Sequence, residues 1–331
     1  WTQSQSNAGN QDSRPEAWAK NVFSIGGVQH NDDSDPLNDS WQNGGASIGP
    51  ANDGRIKPEM CAYYDSIGAS DLSGSAGYSS GNWTSSLGGT SGATPIVAGH
   101  NVLAIQMFTD DSGTPGVGPF GNALRVPGGS VHENRPHFTT LKALQIVSGY
   151  PYSFNRTSTD NLREHQGWGG FPSLANMWDQ RAKTFIVDET NALEQDEMDV
   201  WQITVAPNES ELRICLNWNE PAANPSAAVH LVNDLSLRVT DPSGSHYWGN
   251  EGLLDGVWST IGGAEDDINP IENVFVQNPM AGTWYVQVIA SAVVADNRIE
   301  TSEVDVDYAL VCVGGPGQLA PPGVFAEVES V

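Results

Sequence analysis

The spacing of apolar residues changes near residue 183. Before that point, Gly-rich stretches alternate with helical patterns. Thr90–Met107 (TSGATPIVAGHNVLAIQM) opens on small loop residues and then carries apolar side chains on more than one face, which predicts a buried helix. Pro95 falls in its first turn, where a missing N–H costs least. Thr139–Val147 (TTLKALQIV) has apolar positions at helical spacing and predicts a second helix. Upstream, Asn21–Val28 (NVFSIGGV) reads as a buried strand, and Asp110–Arg135, rich in Gly, Pro and Asp, reads as a long surface loop.

After residue 183 the pattern is that of strands. Val200–Val205, Leu212–Trp218, Leu235–Thr240, Asn273–Gln277, Thr283–Ile289 and Val306–Val313 are short runs rich in β-branched and aromatic residues. Turn signals separate them, as at Asp241-Pro-Ser-Gly244 and Asn278-Pro-Met-Ala-Gly282. Short strands without helical pattern predict an antiparallel β-sandwich or jelly roll. A length of 331 residues exceeds one average domain. The expected organisation is therefore a first domain over 1–182, an all-β domain over 183–315, and a linker or tail over 316–331. No internal repeat is visible.

Net charge narrows the choice of partners. Forty acidic against 14 basic residues give −26, which repels phosphate backbones and argues against nucleic acid. The acids are spread along the chain as a solvated surface; tolerance of salty water and calcium binding are two further readings. No apolar run reaches about 18 residues, so no membrane span is expected. Trp1–Asn10 lacks a basic start and an apolar core, and no signal peptide is expected there. Cys61, Cys215 and Cys312 match no zinc pattern. Cys215 and Cys312 lie in strand-like runs, and pairing or burial as free thiols both stay open. Asn38, Asn82, Asn155 and Asn208 each begin an N-x-S/T sequon, a short pattern that suits a secreted eukaryotic protein and also arises by chance. Eleven tryptophans suggest sugar binding at first sight, but Trp201, Trp218 and Trp284 sit beside apolar strand positions, where core packing is the better account.

The most informative stretch is Gly89-Thr-Ser-Gly-Ala-Thr-Pro95, followed by Ile96-Val-Ala-Gly99. Small residues crowd one serine at the start of a helix, whose free N–H groups and dipole favour negative charge. A tetrahedral oxyanion formed on Ser91 would lie close to that residue's own N–H. This stretch resembles the active-serine motif of the subtilisin family, G-T-S-x-A-T/S-P. Three further segments agree and are in order: Asn7-Ala-Gly-Asn10 resembles the A-G-N oxyanion motif, Asp53-Gly-Arg-Ile-Lys-Pro-Glu59 the stretch leading to the serine loop, and Gln166-Gly-Trp-Gly169 the closing turn. In the second half, Leu231–Val239, Asp241–Gly244, Glu272–Val276 and Ala281–Val286 resemble the β-barrel domain appended to certain bacterial members.

The resemblance covers nearly residues 1–313. It implies an α/β subtilisin-like catalytic domain, present in part, with a parallel sheet and helices, followed by a jelly-roll domain. It also implies a secreted serine endopeptidase with Ser91 as nucleophile, Asn10 as oxyanion donor, and Ala8, Gly9 and Thr90 against the substrate peptide. Barrel domains of this kind often hold calcium, for which Asp234, Asp255, Asp266 and Asp267 are the candidate ligands, in no EF-hand arrangement; exposed loop acids are the plainer reading. No organic cofactor is implied.

The departures matter as much. The family order is Asp, His, Ser. Upstream of Ser91 the one histidine is His30, followed by Asn rather than Gly-Thr, and no Asp lies in a D-T/S-G motif after a strand. Asp111-Ser-Gly113 has the letters but follows the serine in a polar loop. His100 stands roughly two and a half helical turns beyond Ser91. The expectation is a companion N-terminal part that carries the catalytic Asp and His; the rival expectation is an inactive pseudoprotease or processed fragment with a structural or binding role.

Overall fold

A computed structural model describes residues 1–154 and 161–321. The sequon at Asn155 and the tail beyond residue 321 lie outside the described residues. Contacts group the chain into two compact units: residues 1–101 with 149–173, and 102–148 with everything from 174 on. A cut at residue 182 would have grouped them differently. The helix Phe138–Ser148 packs on strands of the second unit, and so joins it.

The first unit is built on a mixed sheet. Strand β2 (Phe23–Gln29) pairs in parallel with β1 (Thr2–Ser4) and β4 (Met60–Tyr63), and antiparallel with the short β3 (Ser40–Trp41). Its residues Phe23–Val28 are buried without alternation, as expected of a strand covered on both faces. A hairpin of β5 (Ile67–Ser70) and β6 (Trp83–Leu87) then leads into helix α1 (Thr90–Thr109). Ala93 and Val97 of α1 share a core with Phe23, Ile25, Met60 and Ala62. The segment Asp53–Glu59 supplies two buried ion pairs: Arg55 Nε lies 2.7 Å from Asp53 Oδ2, and Lys57 bonds Glu59. Lys57 Nζ also donates to the carbonyls of Ala19 and Val22, each at 3.0 Å. Glu59 Oε2 in turn accepts from Ser24 N–H at 2.6 Å, which fixes the entry to β2. The closing turn packs against β4, where Cys61 N–H donates to the Gly170 carbonyl at 2.9 Å. Gly167 has φ +72, and a Cβ there would fall 2.2 Å from the carbonyl carbon of Glu59, so only glycine fits.

Helices α2 (Val131–Asn134), α3 (Phe138–Ser148), α4 (Arg163–Gln166) and α5 (Leu174–Asp179) follow α1. The expected surface loop over 110–135 therefore ends in a helical turn. Its signal was the Ser130-x-x-Glu133 spacing, which forms a complete capping box.

The second unit carries two antiparallel sheets. One has the order β11 (His246–Trp248), β10 (Asp234–Thr240), β13 (Gly282–Ala292), β8 (Met198–Val205), β15 (Gly317–Leu319); the other runs β12 (Ile271–Gln277), β9 (Glu211–Asn217), β14 (Val306–Val313), β7 (Thr184–Leu193). A single apolar core takes residues from both, including Trp201, Trp218, Trp284, Leu237, Val286 and Leu310. The tryptophans named above are thus core residues. Residues 317–319, read from sequence as linker, form an edge strand on β8, paired through the backbone and needing no apolar pattern. All three cysteines are free and buried. Cys215 and Cys312 lie on adjacent strands but are out of register, Cys215 facing Val311 and Cys312 facing Ile214. Asn38, Asn82 and Asn208 are exposed. Among the described residues no helix is long and apolar enough to cross a membrane.

Two predictions follow from the charges inside these units. Lys57→Met strands the Glu59 carboxylate in the core and should destabilise the protein by about 3–5 kcal/mol, measured by urea unfolding, whereas Lys57→Met with Glu59→Leu should recover only part of that loss, because Ser24 N–H and the carbonyls of Ala19 and Val22 still lose their partners. The second concerns the start of α3, where His137 Nδ1 lies 3.3 Å from both Asp188 and Glu189 of β7. Its pKa is raised, first by the Asp188 hydrogen bond; for Asp188 burial pushes the pKa up, but the hydrogen bonds of His137 and Thr140 outweigh it and the pKa is lowered. A raised histidine stabilises fully below its unfolded value of about 6.5 and loses this as pH rises through the folded value; a lowered Asp stabilises above about 3.8 and loses this as pH falls below it. The pair should therefore contribute most between about pH 4 and 6.5. Melting temperatures of wild type and His137→Asn should converge above and below that window.

Candidate active site

Ser91 stands at the start of α1, and the chain reaches it through a tightly held loop. Gly89 has φ +81, and its N–H donates to the Tyr64 carbonyl at 2.7 Å. This turns β6 into the helix. Thr90 is fully buried and Ser91 is exposed. The first four N–H groups of a helix have no partner within it. Here three are satisfied: Thr90 N–H donates to Asn7 Oδ1 at 2.9 Å, while Gly92 and Ala93 N–H donate to the Gly89 carbonyl at 2.9 and 3.1 Å. Ser91 N–H has no partner among the described residues. An exposed hydroxyl thus stands beside a free amide donor at the positive end of a 20-residue helix.

The loop after β1 lies against this helix start. The Thr90 hydroxyl lies 3.0 Å from Asn7 Oδ1 and 3.2 Å from the Ser6 carbonyl, and it accepts from Ser6 N–H at 3.2 Å. Ser6 has φ +103, which turns the chain at this point. The other side of the loop is packed on residues 44–48. Ala8 N–H donates to Ser47 Oγ and Gly9 N–H to the Gly45 carbonyl, both at 2.9 Å. Gly9 has φ +68, and a Cβ there would come 2.6 Å from the Gly44 backbone. Asn10 is exposed. Its backbone carbonyl accepts from Ile48 N–H at 2.9 Å and its Oδ1 from Asp12 N–H at 2.8 Å. That bond orients the amide and leaves Nδ2 as the donor. The structure therefore ties the Ala8–Asn10 loop to Thr90, and the tie runs through Ser6 and Asn7. Asn7 precedes the Ala8-Gly9-Asn10 letters, and no local pattern marks it for this contact.

Among the described residues neither His30 nor His100 makes a hydrogen bond to Ser91. His100 Nδ1 lies 2.8 Å from the Ile96 carbonyl of its own helix. His30, just after β2, lies with Nδ1 2.9 Å from Asp65 Oδ1 and stacks on Tyr63 at 4.2 Å. Asp111 caps the loop after α1, accepting from Gly116 N–H at 3.2 Å.

A second group of candidates sits in the β unit. Asp234 opens β10, and its Oδ1 is buried without a hydrogen-bond partner. Burial pushes its pKa up to about 7, with Glu265, Asp266, Asp267 and Glu220 adding to the rise. Glu272 of β12 is fully buried, with Oε2 accepting from Leu237 N–H at 2.8 Å and Oε1 unpartnered; burial, then Asp266, raise its pKa well above the usual range. Asp266 is already used: it accepts from Ile268 and Asn269 N–H and from the amides of Asn250 and Asn269. Asp267 and Asp255 are exposed, Asp255 in the turn after β11 with its N–H on the Gly252 carbonyl. Among the described residues no three such side chains converge into a metal cluster. The two orphaned carboxylate oxygens of Asp234 and Glu272 nevertheless are donors of the kind a hard cation takes. Glu272 was not singled out from sequence as a ligand.

A serine hydroxyl at a helix start, with a free amide beside it and a glycine-turned loop before it, is an arrangement able to hold an oxyanion. Residues 3–117 match the model of the subtilase family. A Dictyostelium discoideum protein described as "Serine protease/ABC transporter B family protein tagA" is 25% identical over 276 residues, which cover 76% of this chain and 15% of that protein. The chain thus spans a small part of that relative's length. Among solved structures, the Prenylagaramide maturation protease PagA is 16% identical with a TM-score of 0.34, over 54% of this chain and 49% of that one. The Bacillus licheniformis lipase BlEst2 is 16% identical with a TM-score of 0.22, over 40% and 22%.

Proposed function

We propose that this chain is the nucleophile-bearing part of a secreted subtilisin-type serine endopeptidase. The observation that carries the reading is that, among the described residues, Ser91 N–H is the one unpartnered amide of the first turn of α1, beside an exposed Ser91 hydroxyl. In this reading the hydroxyl attacks a peptide carbonyl and forms an acyl-enzyme. Ser91 N–H and Asn10 Nδ2 hold the oxyanion, and Ala8, Gly9 and Thr90 border the substrate. Because neither His30 nor His100 makes a hydrogen bond to Ser91, and neither stands in a family His motif, the proton acceptor and its orienting Asp in this reading come from a companion segment. The protease named in the Dictyostelium relative agrees with this chemistry. The same lack of a histidine bonded to Ser91 favours a second reading, a pseudoprotease or processed fragment with a structural or binding role.

The all-β unit in this reading is a jelly-roll domain that stabilises the catalytic part or positions substrate. Its carboxylates at Asp234, Asp255, Asp266 and Asp267 bind Ca2+. The support is the pair of buried, unpartnered carboxylate oxygens on Asp234 and Glu272. No organic cofactor is involved.

Two experiments test these readings. Native protein treated with a fluorophosphonate should be modified at Ser91, as read by peptide mass spectrometry, and Ser91→Ala should abolish both labelling and peptidase activity. Absence of labelling in folded protein, or peptidase activity surviving in Ser91→Ala, overturns the protease reading. For calcium, the raised pKa of Asp234 means that its folded carboxyl stabilises fully below about 3.8 and loses this as pH rises towards 7. A bound cation would offset that loss once the group is ionised. Added Ca2+ should therefore raise the melting temperature at pH 8, do little at pH 5, and lose its effect in Asp234→Asn. An unchanged melting temperature at pH 8 rules the site out.

A further inference from the structure

The first amide of α1 is held by a side chain from a distant loop. Asn7 Oδ1 accepts from the Thr90 N–H at 2.9 Å and stands 3.0 Å from the Thr90 hydroxyl, across 83 positions of sequence. An asparagine oxygen on an early helical amide is what an N-cap provides. Here the cap arrives from another loop. The residue that precedes the helix, Gly89, has no side chain to offer, and a Cβ there would come within 3.3 Å of the Asn7 amide. A side chain at Gly89 would reach for a later amide of the turn and crowd Asn7; glycine leaves room for Asn7 at the first amide.

The consequence lies one residue further on. With Thr90 N–H taken by Asn7, and Gly92 and Ala93 N–H taken by the Gly89 carbonyl, the donor left over is that of Ser91. Thr90 is at the same time locked by Ser6, through the bond from Ser6 N–H to its hydroxyl at 3.2 Å. Both helix-ward contacts of Ser6 and Asn7 come from the loop that continues to Asn10. The loop is kept from drifting by Ser47, whose N–H donates to the Ser6 carbonyl at 2.9 Å and whose hydroxyl accepts from Ala8 N–H at 2.9 Å.

We infer that Asn7 is a positioning residue: by capping α1 in trans through Thr90 it fixes the first turn so that Ser91 N–H stays an open donor, and it sets the Asn10 loop and the Ser91 helix in one register. The catalytic consequence rests on the protease reading above; the capping role does not. Asn7 touches no reacting atom. It acts through Thr90, and its loss should be felt as a poorly placed oxyanion site rather than as a lost chemical group.

The test separates the two. Amide hydrogen exchange of the intact protein is measured for wild type, Asn7→Ala and Asn7→Asp, in the absence of any substrate. In wild type the Thr90 amide should be protected and the Ser91 amide should exchange freely. Asn7→Ala should lower Thr90 protection by about tenfold, the factor expected for loss of a helix cap. Asn7→Asp keeps an acceptor oxygen in place and should retain the protection. Protection of Thr90 unchanged in Asn7→Ala, or a protected Ser91 amide in wild type, overturns the inference whatever the protein's activity. Fluorophosphonate labelling of Ser91 is followed on the same samples. It should slow by about tenfold in Asn7→Ala and recover towards wild type in Asn7→Asp. A labelling rate untouched in Asn7→Ala, with Thr90 protection lost, would overturn the positioning role. A wild type that exchanges as expected but never labels would instead overturn the protease reading alone.

Discussion

The first turn of α1 is the constraint on which the site depends. A helix must find partners for four amide donors at its start or leave them to solvent. This chain satisfies three of them with protein atoms and leaves one beside an exposed hydroxyl. Every neighbouring feature serves that accounting. Gly89 makes the turn and clears space, the Tyr64 carbonyl anchors it, and Asn7 reaches across from the loop after β1. The buried Lys57–Glu59 pair works at the other end of the same sheet, where Glu59 holds Ser24 and so the entry to β2. Without those fixtures the loop and the helix would have no common frame.

The large elements were legible in the sequence. The helix expected at Thr90–Met107 runs Thr90–Thr109, and the strand expected at Val306–Val313 has those bounds. Both are long, strongly patterned and buried. The short strands β1, β3 and β15 left no signal, because they are held by backbone pairing and not by a side-chain period. The turn at α2 did leave one, in the capping box, and was hidden by the loop-like composition around it.

The site was legible in part for a related reason. Ser91, Thr90, Asn10 and the small residues around them stand in compact stretches that can be read as letters. Asn7 becomes important only because Ser6 takes φ +103 and brings position 7 onto position 90. Glu272 likewise looks like an ordinary strand residue until β10 and β12 enclose it. Neither fact is encoded in local spacing. A net charge of −26 gave the solvated surface but not the few acids that folding removes from water.

The three cysteines carry a consequence of their own. Each thiol is fully buried, and burial pushes each pKa up, so the reactive thiolate is suppressed in the folded state. Cys61 lies in the first unit, while Cys215 and Cys312 lie in the second. A thiol-specific alkylating reagent would therefore act as a clock that runs only when a unit opens, with a separate hand for each. The chain carries its own markers for asking whether the two units come apart together or one before the other, with no label added and no residue changed.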